Sequence, residues 1–108
     1  MRYLSEIKNP LILLPAVNEN NKHVWHIFGI RCHRRDELQR YLAEHGIGTN
    51  CHYPIPIHLQ GAYSDLNIKK GELPVSEEIS STELSIPMYY GMSDDEVTFV
   101  IQTINRFR

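Results

Sequence analysis

Cysteine is scarce in this chain. Cys32 and Cys51 are its only two, in 108 residues, which excludes a disulfide-stapled secreted scaffold and suits a reducing, cytoplasmic setting. Long apolar runs are missing too. The longest, Leu11-Ile12-Leu13-Leu14, falls far short of the ~18 residues a spanning helix needs, so no membrane partner is expected. The start Met1-Arg2-Tyr3-Leu4 leads into no apolar stretch of the kind a secretory leader carries. Charge of one sign is also lacking. Eleven Lys and Arg against thirteen Asp and Glu give a formal net charge of −2, too little basic field for a nucleic-acid partner. No glycine-rich phosphate loop is present, because Gly46-Ile47-Gly48 follows a helical pattern rather than opening one. Internal repeats and low-complexity segments are absent.

What is there reads as one domain, 1–108, with a single modest core: 42% of the residues are apolar and 22% charged. The chain turns on the run Asn50-Cys51-His52-Tyr53-Pro54-Ile55-Pro56-Ile57-His58-Leu59-Gln60. Pro54 and Pro56 fix φ and push Tyr53 and Ile55 towards extended geometry, so the run is neither helix nor central strand. It is a stiff loop that presents His52, Tyr53, His58 and Gln60 in fixed directions, and such loops often bind ligands. The plainer reading, in which the prolines turn a corner over a packed Tyr53, has equal weight on composition alone.

Taken in order, residues 3–8 read as the last turns of a helix that starts without a cap, as though the chain were a fragment. Residues 11–14 read as a short buried strand and 18–22 as a polar turn. The main strand is expected over 23–32, apolar at both parities and so covered on both faces. A helix over 34–44 carries the stripe Leu38, Tyr41, Leu42, His45, with Gly46 at its exit. Residues 47–51 return as a strand, completing a strand–helix–strand unit. Residues 61–67 look irregular or like a single turn, and Lys69-Lys70-Gly71 like a surface turn. Pro74 opens a second helix to about Glu83, with Val75 and Ile79 facing inward. Residues 85–88 are extended. Ser93-Asp94-Asp95-Glu96 is a capping box, and Val97, Val100, Ile101, Ile104 and Phe107 follow with the helical period. The fold class is therefore α/β (α+β), a small two-layer domain of sheet and helix.

Two Cys-His pairs, Cys32-His33 and Cys51-His52, raise the question of zinc. Zinc-binding pairs are usually separated by two to four residues, and strand neighbours point to opposite faces, so no metal is expected. Nothing in the sequence activates Cys51 as a nucleophile. His26, inside the apolar run, is expected to be a hydrogen-bonded packing residue. Unaided, composition and spacing stop at an α/β domain with one stiff polar loop.

Several motifs together go further: His23-Val24-Trp25-His26-Ile27-Phe28 with Arg31, Arg35-Asp36-Glu37-Leu38, Gly46-Ile47-Gly48-Thr49, the run from His52 to Gln60 with Tyr63, Leu73-Pro74, and Glu83-Leu84-Ser85-Ile86-Pro87-Met88-Tyr89. From about Tyr3 to Phe107 the chain resembles the C-terminal small domain of the DegT/DnrJ/EryC1/StrS sugar aminotransferases. The resemblance implies a fold-type I enzyme that uses pyridoxal 5′-phosphate to move an amino group, usually from glutamate, onto a nucleotide-linked keto sugar. The products would serve lipopolysaccharide, O-antigen, capsule or antibiotic sugars. It also implies a homodimer and a large domain that carries the Schiff-base lysine. Lys8, Lys22, Lys69 and Lys70 match no such motif, so this chain alone is expected neither to catalyse nor to bind the cofactor. By the same resemblance His52 and Tyr53 lie nearest the substrate, while His58 and Gln60 hold the loop or line the entrance. The alternative from another class is a stand-alone α/β module that binds a small ligand through the same loop. A lysine-bearing large domain encoded upstream of Met1 would separate the two.

Overall fold

The computed structural model describes all 108 residues. Two antiparallel strands, β1 (Phe28–Arg31) and β2 (Glu83–Ile86), pair with Phe28 opposite Ile86 and Arg31 opposite Glu83. An isolated bridge adds Leu13 beside Arg31 on one edge, and another adds Asn50 beside Ser85 on the other. Four extended segments thus lie in the order Leu13, β1, β2, Asn50. The helices are α1 (Arg2–Glu6), α2 (Arg35–Glu44), α3 (Pro74–Thr82) and α4 (Asp94–Arg106). The architecture is the expected small α/β domain.

Strand alternation divides the sheet into two unlike faces. Phe28, Ile30, Leu84 and Ile86 are all buried, in one cluster with Leu38 and Leu42 of α2, Val100, Ile101 and Ile104 of α4, and Tyr3 of α1. Gly29, Arg31, Glu83 and Ser85 take the opposite face, and that face carries polar groups.

The helix ends obey local rules. Ser93 Oγ accepts from the Glu96 amide while Glu96 Oε2 accepts from the Ser93 amide, so the predicted capping box is complete. At the end of α2, Gly46 takes φ +77°. Its amide bonds the Ala43 carbonyl, and the Ile47 amide bonds the Leu42 carbonyl, the Schellman arrangement that a glycine permits. Tyr3 is buried, with its hydroxyl 2.8 Å from the Pro87 carbonyl. That burial raises the phenol to about 12.

Several sequence expectations are corrected. The strand expected over 23–32 pairs only at 28–31 because β2 offers four partners. Ahead of it Trp25 takes φ +44°, stacked on His23 at 3.9 Å, and Val24 is exposed. His26 is exposed rather than packed. Of residues 11–14 only Leu13 pairs, and Leu11 and Leu13 are exposed. The strand–helix–strand unit is open: residues 47–51 return to the far side of β2, through Asn50 alone, and not beside β1. His45 leaves the apolar stripe and turns its Nδ1 to the Tyr41 carbonyl, 2.7 Å away. Val75 and Ile79 point outward, 69% and 41% exposed, and Ser80 and Thr82 are the buried residues of α3.

Candidate functional site

The proline loop is tied to the polar face of the sheet. The bridge from Asn50 to Ser85 brings the chain over β2, and two residues later His52 lies against that strand. The His52 amide donates to Glu83 Oε2 at 2.6 Å. Its ring Nδ1 is 2.8 Å from Ser85 Oγ, and that hydroxyl donates to Glu83 Oε1 at 2.5 Å. Glu83 and Ser85 are two apart on β2 and so share a face, which lets one carboxylate grip both the backbone and, through Ser85, the ring of His52.

Tyr53 follows across a cis peptide bond. Its ring meets the His52 ring edge-on, with centroids 5.2 Å apart, and the side chain is 67% exposed. Gln60 spends its amide on the loop itself, donating to the Ile55 carbonyl at 3.0 Å. His58 lies on a short 3-10 turn, Ile57–Leu59, and is buried. Its Nε2 stands 3.5 Å from Glu77 Oε2 on α3 and has no hydrogen-bond partner. His52, Tyr53, His58 and Gln60 all line one depression of about 440 Å³, floored by apolar groups that include Ile68, Leu73 and Ile79. His52 also borders a second cavity, of about 240 Å³, with His26, Phe28, Asn50, Ser85 and Met88 around it.

Glu77 anchors this loop from below. Both its oxygens accept from the Gly71 amide, at 2.9 Å. That bond, with lesser help from the Leu73 backbone and His58, holds the carboxyl below its ordinary value of 4.5. A depressed carboxyl binds best as the anion, so its contribution is complete above pH ~4.5 and is lost as pH falls through the lower folded value. Protection of the Gly71 amide from hydrogen exchange, corrected for the intrinsic rate, should therefore hold steady down to about pH 4.5 and fall below it. Glu77→Gln should lack that drop and show low protection throughout.

Glu83, Ser85 and Glu77 do not stand out in the sequence. For the first two a signal exists, since two polar residues alternate with Leu84 and Ile86 just before Pro87. Glu77 gives none, because its partners Gly71 and His58 meet it only through the fold. Burial pushes the Cys32 thiol up, which disfavours the nucleophilic thiolate. No three His, Cys, Asp or Glu side chains come together as a metal site would require.

Pyridoxal phosphate needs a lysine drawn into a cavity. Lys8, Lys22, Lys69 and Lys70 are all exposed, and none lines a larger cavity. No lysine of this chain is therefore placed to hold that cofactor as a Schiff base.

A profile of the DegT/DnrJ/EryC1/StrS aminotransferase family matches residues 2–105. The chain belongs to that family. Over 105 residues it is 46% identical to the dTDP-3-amino-3,6-dideoxy-alpha-D-galactopyranose transaminase of Aneurinibacillus thermoaerophilus, covering 97% of this chain and 28% of the relative. It is 36% identical to the dTDP-3-amino-3,4,6-trideoxy-alpha-D-glucose transaminase of Streptomyces venezuelae, again over 28% of the relative. Among solved structures, DesV of S. venezuelae in complex with a ketimine intermediate superposes with a TM-score of 0.93 at 36% identity, over 96% of this chain and 28% of that one. A DegT/DnrJ/EryC1/StrS aminotransferase from Brucella abortus gives 0.85 at 33% identity, over 95% of this chain and 27% of that one. This DegT-family chain thus spans a little over a quarter of the relatives it matches. No helix in it is long and apolar enough to cross a membrane.

Proposed function

We propose that this chain is the C-terminal small domain of a pyridoxal-phosphate-dependent sugar-nucleotide transaminase, whose large domain holds the cofactor and its lysine. The whole enzyme transfers an amino group from an amino acid, glutamate by the resemblance, to a nucleotide-linked keto sugar. A dTDP-linked 3-keto-6-deoxyhexose is the first substrate to assay, because transamination would turn it into a 3-amino-3,6-dideoxyhexose of the kind for which the 46%-identical relative is named. The product would enter lipopolysaccharide or another polysaccharide, and the enzyme would work as a cytoplasmic homodimer.

The observation that carries this reading is the pairing of a tethered His52 with an exposed Tyr53 over a cavity, in a chain of this family. Imidazole and phenol both bond sugar hydroxyls and phosphate oxygens. Their loop is already stiffened by Pro54 and Pro56, so little ordering entropy is lost on binding. Ile55 and Ile57 on the loop, Leu66 after it and Val75 on α3 are each more than half exposed. A covering large domain or subunit accounts for so much apolar surface.

The test is steady-state kinetics of the full-length enzyme with the keto-sugar nucleotide, beside a spectroscopic titration of pyridoxal phosphate. Tyr53→Phe removes one hydroxyl and should cost about 1–3 kcal/mol of transition-state stabilisation, with His52→Ala costing a similar amount. Cofactor affinity should be unchanged. Wild-type kcat/KM in both variants, or a loss of cofactor affinity instead, would refute this placement of the loop.

A further inference from the structure

We infer that Glu83, acting through Ser85, sets which ring nitrogen of His52 carries the proton, and so fixes Nε2 as the atom that meets a ligand. The inference deepens the reading of His52 as a substrate contact and rests on it for the identity of the ligand, a sugar hydroxyl or phosphate oxygen.

Donors and acceptors decide the assignment. An ionised carboxylate only accepts hydrogen bonds. Ser85 Oγ, 2.5 Å from Glu83 Oε1, must therefore direct its single proton at Glu83. Its oxygen is then left as an acceptor towards His52 Nδ1, 2.8 Å away, and that nitrogen must carry the hydrogen. In the neutral ring Nε2 is consequently the bare nitrogen, able to accept a hydroxyl proton. When the ring gains a proton, Nε2 is the atom that takes it, and the same position then donates to an anionic oxygen. One orientation thus serves two kinds of oxygen on the ligand.

Two further observations support the role of Glu83 as the hub. Its second oxygen accepts the His52 backbone amide at 2.6 Å, so the carboxylate cannot turn away without breaking both bonds. On the neighbouring strand the residue opposite Ser85 is Gly29, and a Cβ there would come within 3.0 Å of Glu83 Oε1. The bare glycine leaves room for the carboxylate. In this arrangement Ser85 and Glu83 act through His52, as positioning residues.

Glu83→Gln reverses the chain of bonds in a way that a purely structural role would not. The His52 amide is a donor and requires the carbonyl oxygen of the new side chain, so the amide nitrogen must face Ser85. That nitrogen donates to Ser85 Oγ, which frees the serine proton for His52 Nδ1. The ring should then carry its hydrogen on Nε2.

The measurement is a long-range ¹H–¹⁵N correlation spectrum of the histidine-labelled full-length enzyme near neutral pH, with His52 assigned by its loss in His52→Gln. Wild type should show the hydrogen on Nδ1. Glu83→Gln should show it on Nε2, and Ser85→Ala, which removes the partner altogether, should also lose the Nδ1 preference. In kinetics, Glu83→Gln should lower kcat/KM for the keto-sugar nucleotide by about 10- to 100-fold, with pyridoxal phosphate affinity unchanged. A wild-type ring with its hydrogen on Nε2, or a Glu83→Gln ring that keeps it on Nδ1, would overturn the inference. An inverted tautomer with unchanged kcat/KM would uphold the control by Glu83 and overturn instead the role of His52 at the substrate.

Discussion

Phe28→Ala should destabilise the domain by about 3–5 kcal/mol, the cost of deleting a fully buried aromatic side chain and leaving a cavity behind. Phe28 is completely buried at the start of β1. Its ring meets Tyr3 at 5.2 Å in a T-shaped contact and Trp25 at 4.8 Å. It therefore joins α1, the segment ahead of β1 and the sheet at one point, and it also lines the 240 Å³ cavity beside His52. Phe28→Leu keeps much of the volume and should cost far less. The measurement is the urea midpoint of the three proteins at constant m-value. A Phe28→Ala variant within about 1 kcal/mol of wild type would contradict this packing.

Asn9→Ala should cost about 2–4 kcal/mol, more than an ordinary surface polar residue, because it strips several buried groups at once. Asn9 is 5% exposed. Its Nδ2 donates to the carbonyls of Ile104 at 2.7 Å and Phe107 at 2.8 Å, and its Oδ1 accepts the Leu11 amide at 2.9 Å. The end of α4 is thus closed by a side chain nearly a hundred residues upstream. Asn9→Asp tests the assignment. It keeps the shape and the acceptor for Leu11 but replaces the donor with an anion facing two carbonyls, so it should be at least as damaging as alanine. Thermal unfolding of the two variants checks the order. An aspartate variant as stable as wild type would mean that the two carbonyls do not depend on Asn9.

Both residues show where sequence reasoning runs out. Asn9 before Pro10 is legible only as the stop of α1, since its real partners lie on α4. Phe28 is legible as a strand residue, but propensity overstates the strand's length. β-branched and aromatic residues from 23 to 27 satisfy strand propensity without a partner strand, and β2 supplies only four places. Likewise Val75 and Ile79 look inward in the sequence because apolar spacing on a helix normally faces a core. In this fold that spacing serves a surface left uncovered.

The sequence by itself determined the local elements. The capping box at Ser93, the glycine exit at Gly46, the proline start at Pro74 and the stiff loop through Pro54 and Pro56 all follow from bonds and sterics within a few residues. It also determined the family resemblance, and with it His52, Tyr53, His58 and Gln60 as the residues to watch. Only the tertiary structure decided how His52 and His58 are held, because their tethers join segments distant in sequence. Ser85 and Glu83 reach His52 across some thirty positions, and Glu77 faces His58 only once α3 packs beneath the loop. Short-range rules fix φ, ψ and caps; the partner of a buried polar side chain depends on chain closure, which no local pattern encodes.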